Sequence, residues 1–596
     1  DVCSSDLIDS FFSKPNEFIL YLFLYKINKL KMSKNNLFRT KPIATIIKQG
    51  GDGEHSGLNK VLTVKDLTFF GIAAILGAGS FTSLGEAIFK GGPGVVILFV
   101  ITAIACAFTA FCYSEFASRI PTAGSAYTYA YASFGELFAW IIGWALIMEY
   151  SIGNIYVAFS WSDYFTSFLG RCNIHIPSYF CTSYMEAKNA FMNHSANQEL
   201  IEAWNNAPMI GGLKMIVDIP ALTINLLITY LVYKGIKESR NFSNLMVWLK
   251  MAVVALIIIV GGYLVFSRGL TFNWTPANSQ GVKSFMPNGF GGVMAAVSGV
   301  FFAYIGFDAV SVLAEESKNP QKDLPRGMLL SLIICTIVYI LLALVLTGAV
   351  DFKNFEGIGD PLAFIFEPQN LNIGWMQFLV SICAVIAMTS VLLVFQMGQP
   401  RIWLSMSRDG LLPNVFQKIH PQYKTPSFST IITGLVVGVP ILFTDKTFVL
   451  DFTSIATLFA FVLVCGGVLL IPRRTKETGK FHLPYINAQF IFPLIIIITV
   501  ISVNYLVPTY FVNAFDLSAD KLAANIPLLL FYILCIVMGV LSFTKKLSLI
   551  PLLGLISCCY LLTGMTVSNW LWFGMWLALG LVFYFSFGYK NSKLNV

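Results

Sequence analysis

Long uninterrupted runs of apolar residues, separated by short polar segments, recur along nearly the whole chain. A helix that crosses the hydrocarbon core of a bilayer needs about 20 apolar residues. The pattern therefore predicts fourteen membrane-spanning helices, numbered here as spans 1 to 14. The predicted ranges are 66–90, 94–117, 137–168, 211–233, 242–267, 288–313, 327–350, 374–400, 427–445, 450–471, 485–508, 523–544, 547–565 and 569–588.

The composition supports the same class. Of the 596 residues, 56% are apolar and only 12% are charged, whereas soluble domains carry about 25% charged residues. This excludes a disordered, collagenous or disulfide-scaffold protein and disfavours a soluble multidomain enzyme. We predict an all-helical polytopic membrane protein. Its expected parts are an upstream or non-native extension (1–31), an N-terminal head (32–65), a core of ten spans (66–472), four further spans (473–588) and a tail (589–596).

Residues 1–31 contain one apolar run, 18–25, which is too short to span a bilayer and lacks a small-residue cleavage site. We therefore expect Met32 to be the true start. If the head is cytoplasmic, most Lys and Arg residues fall on the cytoplasmic side, as the positive-inside rule requires. The net charge of +8 thus indicates topology in an inner (cytoplasmic) membrane with both termini inside, and no nucleic-acid partner.

The eleven cysteines lie mostly within the spans and lack the spacing of a metal site. Cys172 and Cys181 share one external loop, where they form either a disulfide or two free thiols. All five histidines lie outside the spans, and no nucleophile–base pair is evident. We therefore predict no metal, no cofactor and no enzymatic activity.

Two spans carry small residues at mid-membrane depth, at 71–81 in span 1 and 298–308 in span 6. One such run favours close helix packing, but two runs five spans apart are typical of an inverted-repeat transporter. Freed backbone N–H groups attract a carboxylate, and freed carbonyls attract an ammonium. The pair of breaks therefore suits a zwitterion such as an α-amino acid, without excluding other small zwitterions.

Several motifs resemble the cationic amino acid transporter family of the amino acid–polyamine–organocation superfamily. The resemblance implies a LeuT-type five-plus-five inverted repeat with four additional C-terminal spans. It also implies proton-coupled or facilitated transport of an amino acid through the lipid bilayer. Ser80 departs from the aliphatic residue usual in that family. The motifs lie at 77–79, 235–239, 302–308, 314–320, 398–401 and 406–412.

The resemblance also implies where the substrate binds. Its carboxylate would contact the backbone around Gly77, Ala78 and Gly79, close to Ile75. Phe302 would gate the substrate, although an aromatic residue in so Phe-rich a chain can equally be packing. The α-amino group would contact carbonyls around Phe302, Ala303 and Ile305.

Ionisable residues within spans are costly and are functional candidates. Lys250, in span 5, resembles a lysine linked to proton coupling in related carriers. We expect its ammonium to contact carbonyls near Ala74 or Gly77 and the hydroxyls of Thr389 and Ser390. A second proton-coupling candidate is Glu149 in span 3. Asp308 lies just past the span 6 break, whereas Glu115 beside Arg119 is more typical of a structural ion pair.

The sequence thus predicts a secondary active amino acid transporter, with a proton as coupling ion. A sodium-coupled carrier or an exchanger on the same fold is the alternative, and a channel is less favoured. A cationic substrate would need an acidic partner such as Glu149 or Asp308, whereas a neutral one would not. Neither substrate class is favoured by the sequence.

Overall fold

The computed structural model describes residues 37–595 with internal gaps. The gaps are 44–45, 47–61, 78, 121–124, 194–196, 236–239, 279–280, 312–316, 424, 473–480, 507–509 and 516–517. The expected extension 1–31 and the start at Met32 lie outside the described residues. All fourteen predicted spans coincide with apolar helices or broken helices, so the predicted all-helical membrane fold is confirmed.

Most of the first seven spans begin and end within a few residues of the predicted positions. Span 4 begins at Ile219 and not at 211, because residues 209–214 form a short β-pair, and span 7 begins at Pro320 and not at 327. Span 1 is Val64–Ile75 followed by Leu84–Gly91, and span 6 is Gly289–Ala295 followed by Val297–Tyr304. The others are Val95–Arg119 (span 2), Glu136–Arg171 (span 3), Ile219–Lys234 (span 4), Arg240–Ser267 (span 5) and Pro320–Ala349 (span 7).

The remaining spans are single helices apart from the last. They are Gly374–Arg408 (span 8), Ser427–Ile441 (span 9), Lys446–Leu470 (span 10), Ala488–Leu506 (span 11), Ala519–Lys545 (span 12), Leu549–Leu562 (span 13) and Val567–Phe583 (span 14). Within the described ranges, nine helical stretches are individually long and apolar enough to cross a membrane, or ten with the bent span 6. Spans 4, 9 and 13 are shorter apolar helices.

Both breaks fall where the sequence predicted them. Span 1 stops at Leu76, whose backbone is not helical, and resumes as a π-helical turn over Gly79–Ser83. Span 6 bends by 44° between its two helices and ends at Ile305, whose backbone is extended. Gly306 follows with φ +118°, a conformation that only glycine adopts readily.

The first ten spans pack as two groups. Span 7 lies against spans 1 and 2, and span 6 packs on spans 1 and 2, which makes one bundle. Span 3 packs along span 8, and spans 4 and 9 lie against both, which makes a scaffold. Span 5 joins spans 7 and 8, and span 10 contacts spans 2, 3 and 6. The breaks in spans 1 and 6 therefore lie between the bundle and the scaffold.

The two membrane faces differ in their coverage. The terminal face is the one that carries residues 37–42 and 589–595. The opposite, loop face is covered by the long connection between spans 3 and 4, which contains helices Tyr184–Met192 and Gln198–Asn206. A two-residue antiparallel pair, Met209–Ile210 (β1) with Leu213–Lys214 (β2), completes this connection. Cys172 and Cys181 are separate free thiols.

Span 14 is fastened to span 3 by tryptophans. Trp144 Nε1 donates to the Trp576 carbonyl at 2.9 Å, and Trp576 Nε1 donates to the Trp144 carbonyl at 3.1 Å. The two indole rings stack with centroids 4.8 Å apart. Trp140 Nε1 donates to the carbonyl of Gly580 at 2.9 Å. Gly580 allows this approach, because a Cβ there would overlap the Trp144 indole.

We expect Gly580→Val to separate spans 3 and 14 and to lower the free energy of unfolding by about 1–3 kcal/mol, the usual cost of overpacking. The midpoint of thermal unfolding in detergent measures this. Gly574→Val, in the same helix, is the matched control because a Cβ there meets nothing within 4 Å. Equal midpoints for the two variants would contradict the assigned role of the tryptophan contact.

Candidate functional site

The break in span 1 is held by its own backbone and by close contact with span 6. The Gly77 carbonyl accepts hydrogen bonds from the Ser80 and Phe81 N–H groups, both at 3.1 Å, and from Ser80 Oγ at 3.0 Å. A Cβ on Gly79 would lie 2.5 Å from the Ala303 Cα. Gly79 is therefore required for the approach of the two broken spans. Ala78 lies outside the described residues.

The break in span 6 faces the break in span 1. A Cβ on Gly306 would lie 3.0 Å from the Ala74 carbonyl carbon, so backbone meets backbone at this point as well. Neither close approach tolerates a larger residue without movement of one span. The two breaks consequently form one unit at the centre of the membrane.

Tyr339 of span 7 joins the two breaks, a role that sequence analysis did not assign. Its hydroxyl lies 2.8 Å from the Ile75 carbonyl oxygen and 2.7 Å from the Ala303 carbonyl oxygen. Both carbonyls belong to the ends of interrupted helices, where the usual intrahelical donor is missing. The ring is fully buried and packs on Phe99 and Tyr304. Tyr339 thus supplies a donor to the Ala303 carbonyl and a second donor to the Ile75 carbonyl, which also accepts from the Gly77 N–H at 2.9 Å.

A small cavity of about 10 Å³, roughly the space of one water molecule, lies beside the two breaks. Four predicted substrate residues line it: Ile75, Gly79, Phe302 and Ile305. Gly77 and Ala303 do not line it, and they instead build the two breaks. The remaining walls come from spans 1, 3 and 8. All lining side chains are apolar: Ala74, Ile75, Val157, Phe302, Ile305, Val391 and Phe395, with Gly79 contributing backbone.

A stack of side chains leads from the cavity to the loop face. The Phe302 ring meets Tyr156 of span 3 edge to face, with centroids 4.7 Å apart. Lys446 Nζ lies 5.8 Å from the centroid of the Tyr156 ring and forms an ion pair with Asp163 of span 3. Phe302 is 4% exposed, which fits a closed position between the cavity and this ion pair.

Glu186, on the loop-face helix Tyr184–Met192, adds a titratable group near the ion pair. Its burial and the nearby Asp163 carboxylate raise the pKa of Glu186 to about 8, against an opposing effect of Lys446. The sequence carries no motif that marks Glu186, Asp163 or Lys446, because they meet only through packing.

Lys250 lies between spans 1 and 8, as predicted, with a change of partners. Its Nζ is 2.7 Å from Ser390 Oγ and 3.5 Å from the carbonyl oxygen of Ala73, one residue before the predicted Ala74. Thr389, the other predicted partner, accepts a hydrogen bond from Trp161 Nε1 at 2.9 Å instead. Lys250 is 1% exposed, so it joins spans 1, 5 and 8 through buried contacts.

The carboxylates predicted within the spans lie away from the cavity wall. Glu149 and Asp308 are both buried and lie close enough to interact electrostatically. Eight residues separate Glu149 from Val157, which corresponds to about 12 Å along span 3 toward the terminal face. Glu115 forms an ion pair with Arg119 at 2.7 Å.

Comparison with known proteins gives one coherent group. The family model for amino acid permeases matches residues 62–541. A branched-chain amino acid permease, BcaP of Bacillus subtilis, is 35% identical over 94% of this chain and 100% of its own length. A methylthioribose transporter of the same organism is 34% identical with equal coverage. Vacuolar cationic amino acid transporter 4 of Arabidopsis thaliana is 33% identical over 73% of this chain and 67% of its own length.

The matched family covers both broken spans and all residues of the cavity. The relatives are named as permeases and transporters, and none of these names describes an enzyme. The chain therefore belongs to the amino acid permease family of the amino acid–polyamine–organocation superfamily.

Proposed function

We propose that this protein is a secondary active transporter that moves amino acids by alternating access around the central cavity. One observation carries the proposal: two interrupted spans face each other at mid-membrane depth and share a small cavity. Interrupted helices at that depth bind substrates in transporters with repeated halves. The arrangement of a bundle (spans 1, 2, 6 and 7) and a scaffold (spans 3, 4, 8 and 9) supports relative rocking of the two groups.

The cavity wall favours a neutral, apolar amino acid over a cationic one. Its lining side chains carry no charge, and burying an unpaired ammonium or guanidinium against them would be strongly unfavourable. Glu149 and Asp308 could form an ion pair with a cationic side chain of the substrate only if they moved to the cavity wall. The branched-chain permease among the relatives supports the same substrate class. Cationic amino acid transporters are also among the relatives, so the experiment below includes cationic competitors.

Proton coupling through Lys250 is the mechanism that its contacts support. A protonated amine donates to both the Ala73 carbonyl and Ser390, and so ties the bundle to the scaffold. Deprotonation removes the charge and weakens both contacts. Release of this tie would free spans 1 and 8 to separate. Glu149, adjacent to Asp308, is the second candidate for carrying the proton.

The proposed location is the plasma membrane with both termini in the cytoplasm. The concentration of Lys and Arg near the ends of spans on one face supports this orientation. The terminal face then points inward, and substrate enters from the loop face past Lys446 and Phe302.

The substrate class is testable by competition. We expect excess valine, leucine or isoleucine to displace a radiolabelled branched-chain amino acid from the purified protein, and we expect excess arginine or lysine to leave it bound. Methylthioribose is included as a non-amino-acid control. Displacement by arginine at the same concentration as leucine would overturn the neutral assignment, and displacement by methylthioribose alone would overturn the amino acid assignment.

Tyr339→Phe removes the hydroxyl that serves the two carbonyls while it preserves the ring. We expect a loss of substrate affinity of about tenfold, because the breaks lose their shared donor (about 1.4 kcal/mol). Tyr304→Phe is the matched control, since its hydroxyl donates to Phe99 and not to a break. Equilibrium binding to both variants provides the measurement. Equal affinities would show that the Tyr339 hydroxyl is not needed at the breaks.

Lys250→Met keeps the apolar stem and removes the amine. We expect substrate binding within about tenfold of wild type (about 1.4 kcal/mol) and loss of accumulation driven by an imposed proton gradient in proteoliposomes. Lys353→Met, at an exposed position on the loop face, should accumulate substrate normally. If Lys250→Met still accumulates substrate with wild-type pH dependence, Lys250 has a structural role. Glu149 then becomes the candidate that carries the proton.

A further inference from the structure

A short helix connects spans 2 and 3 on the terminal face, over residues Ser125–Ser133. It carries three buried tyrosines, Tyr127, Tyr129 and Tyr131, each no more than 2% exposed. Residues four apart share a face of a helix, and residues two apart point in nearly opposite directions. Tyr127 and Tyr131 therefore face one way and Tyr129 the other, so the connecting helix has two distinct contact surfaces.

The first surface meets a fully buried carboxylate at the start of span 3. Glu136, with no exposed area, accepts two hydrogen bonds from Arg39, at 2.9 Å from Nε and 2.8 Å from Nη2. The hydroxyl of Tyr131 donates to it at 3.0 Å. Tyr584, just past span 14, donates at 3.0 Å, and Ser592 of the C-terminal tail also donates. Both ends of the chain thus converge on Glu136.

The same surface meets a second carboxylate, at the end of span 8. Asp409 accepts hydrogen bonds from Lys41 Nζ at 2.8 Å and from the Tyr127 hydroxyl at 2.7 Å. Its backbone carbonyl accepts from the Lys593 N–H at 3.1 Å. Glu136 and Asp409 belong to spans 3 and 8, so this entire surface of the connecting helix is attached to the scaffold.

The second surface meets span 2 through aromatic rings, the Tyr129 side chain also lies near Ser311 beyond the span 6 break, and the connecting helix packs on span 10 as well. Tyr129 stacks on Phe116 of span 2, with centroids 4.8 Å apart and planes inclined by 4°. It also contacts the ring of Tyr113 edge to face at 6.1 Å. Tyr113 in turn contacts Phe307, which follows the span 6 break, at 6.1 Å. The chain of rings ends beside Asp308, directly below the cavity.

We propose that the connecting helix is a clamp that keeps the terminal side of the cavity closed, with Glu136 as its positioning residue. The proposal rests on the alternating access proposed above. Hydrogen bonds to an ionised carboxylate are roughly twice as strong as neutral ones. The stacked rings of Tyr129 and Phe116 form no hydrogen bond of this kind with each other. The helix therefore stays with spans 3 and 8 when the bundle moves, and the slip plane lies between Tyr129 and Phe116. Arg39 and the C-terminal tail stabilise the closed state through Glu136.

The clamp can be tested with a reporter cysteine at Ser311, one turn beyond Asp308 toward the terminal face and fully buried in the closed state. Ser311→Cys is introduced on a background with the native cysteines replaced by alanine. Its reaction rate with a polar maleimide is measured in nanodiscs without substrate. We expect Glu136→Gln to accelerate labelling at least about tenfold and Tyr127→Phe about threefold. Glu86→Gln, which alters an ion pair on the loop face, is the matched control and should react at the parent rate.

A second reporter separates release of the clamp from general loss of stability. Thr182→Cys is buried on the loop face, so unfolding would accelerate labelling at both reporters, whereas clamp release accelerates only Ser311→Cys. A parent-like rate at Ser311→Cys in Glu136→Gln, or equal acceleration at both reporters, would overturn the proposal. If Glu136→Gln does not fold, Tyr127→Phe decides by the same criteria. Because no substrate is present, failure of amino acid transport by the parent would refute the proposed function without altering these rates.

Discussion

The need to satisfy every backbone polar group in hydrocarbon governs this structure. Spans 1 and 6 give up helical hydrogen bonds at mid-membrane depth, and several of the carbonyls freed among the described residues have a specific partner. The Gly77 carbonyl accepts hydrogen bonds from within its own span, and the Ile75 carbonyl accepts from both the Gly77 N–H and Tyr339. The Ala303 carbonyl accepts from Tyr339. Lys250 serves the Ala73 carbonyl. The cavity exists because these partners stabilise the interruptions in spans 1 and 6, which would otherwise be continuous helices.

The pairing of polar groups also explains how the cavity is closed toward the loop face and toward the terminal face. On the loop face, the ion pair of Lys446 with Asp163 lies above Tyr156 and Phe302. On the terminal face, two carboxylates collect donors from the head, the connecting helix and the tail. Charged groups near a low-dielectric interior persist only when they are paired. Closure at either end is therefore achieved by paired charges with aromatic rings between them and the cavity.

The elements that could be predicted from the sequence are those that depend on local pattern. Fourteen spans follow from apolar run length, and the two breaks follow from glycines at mid-span. The contact between Lys250 and Ser390 follows from a resemblance. The role of Tyr339 could not be predicted, because a tyrosine in an apolar helix has many rotational settings and only one places its hydroxyl between two carbonyls. Thr389 was assigned to Lys250, but helix rotation turns it toward Trp161. The converging partners of Glu136 lie up to 456 residues away in the chain, beyond the reach of any local pattern.

Tyr339 has one hydroxyl proton and two carbonyl acceptors within reach. A single O–H cannot fully serve both oxygens at once, but the Ile75 oxygen also accepts from the Gly77 N–H, so the phenol proton can point to the Ala303 oxygen without leaving the Ile75 oxygen unpaired. One phenol therefore links span 7 to both broken spans, and a movement that separates the two breaks must give up at least one of its two contacts.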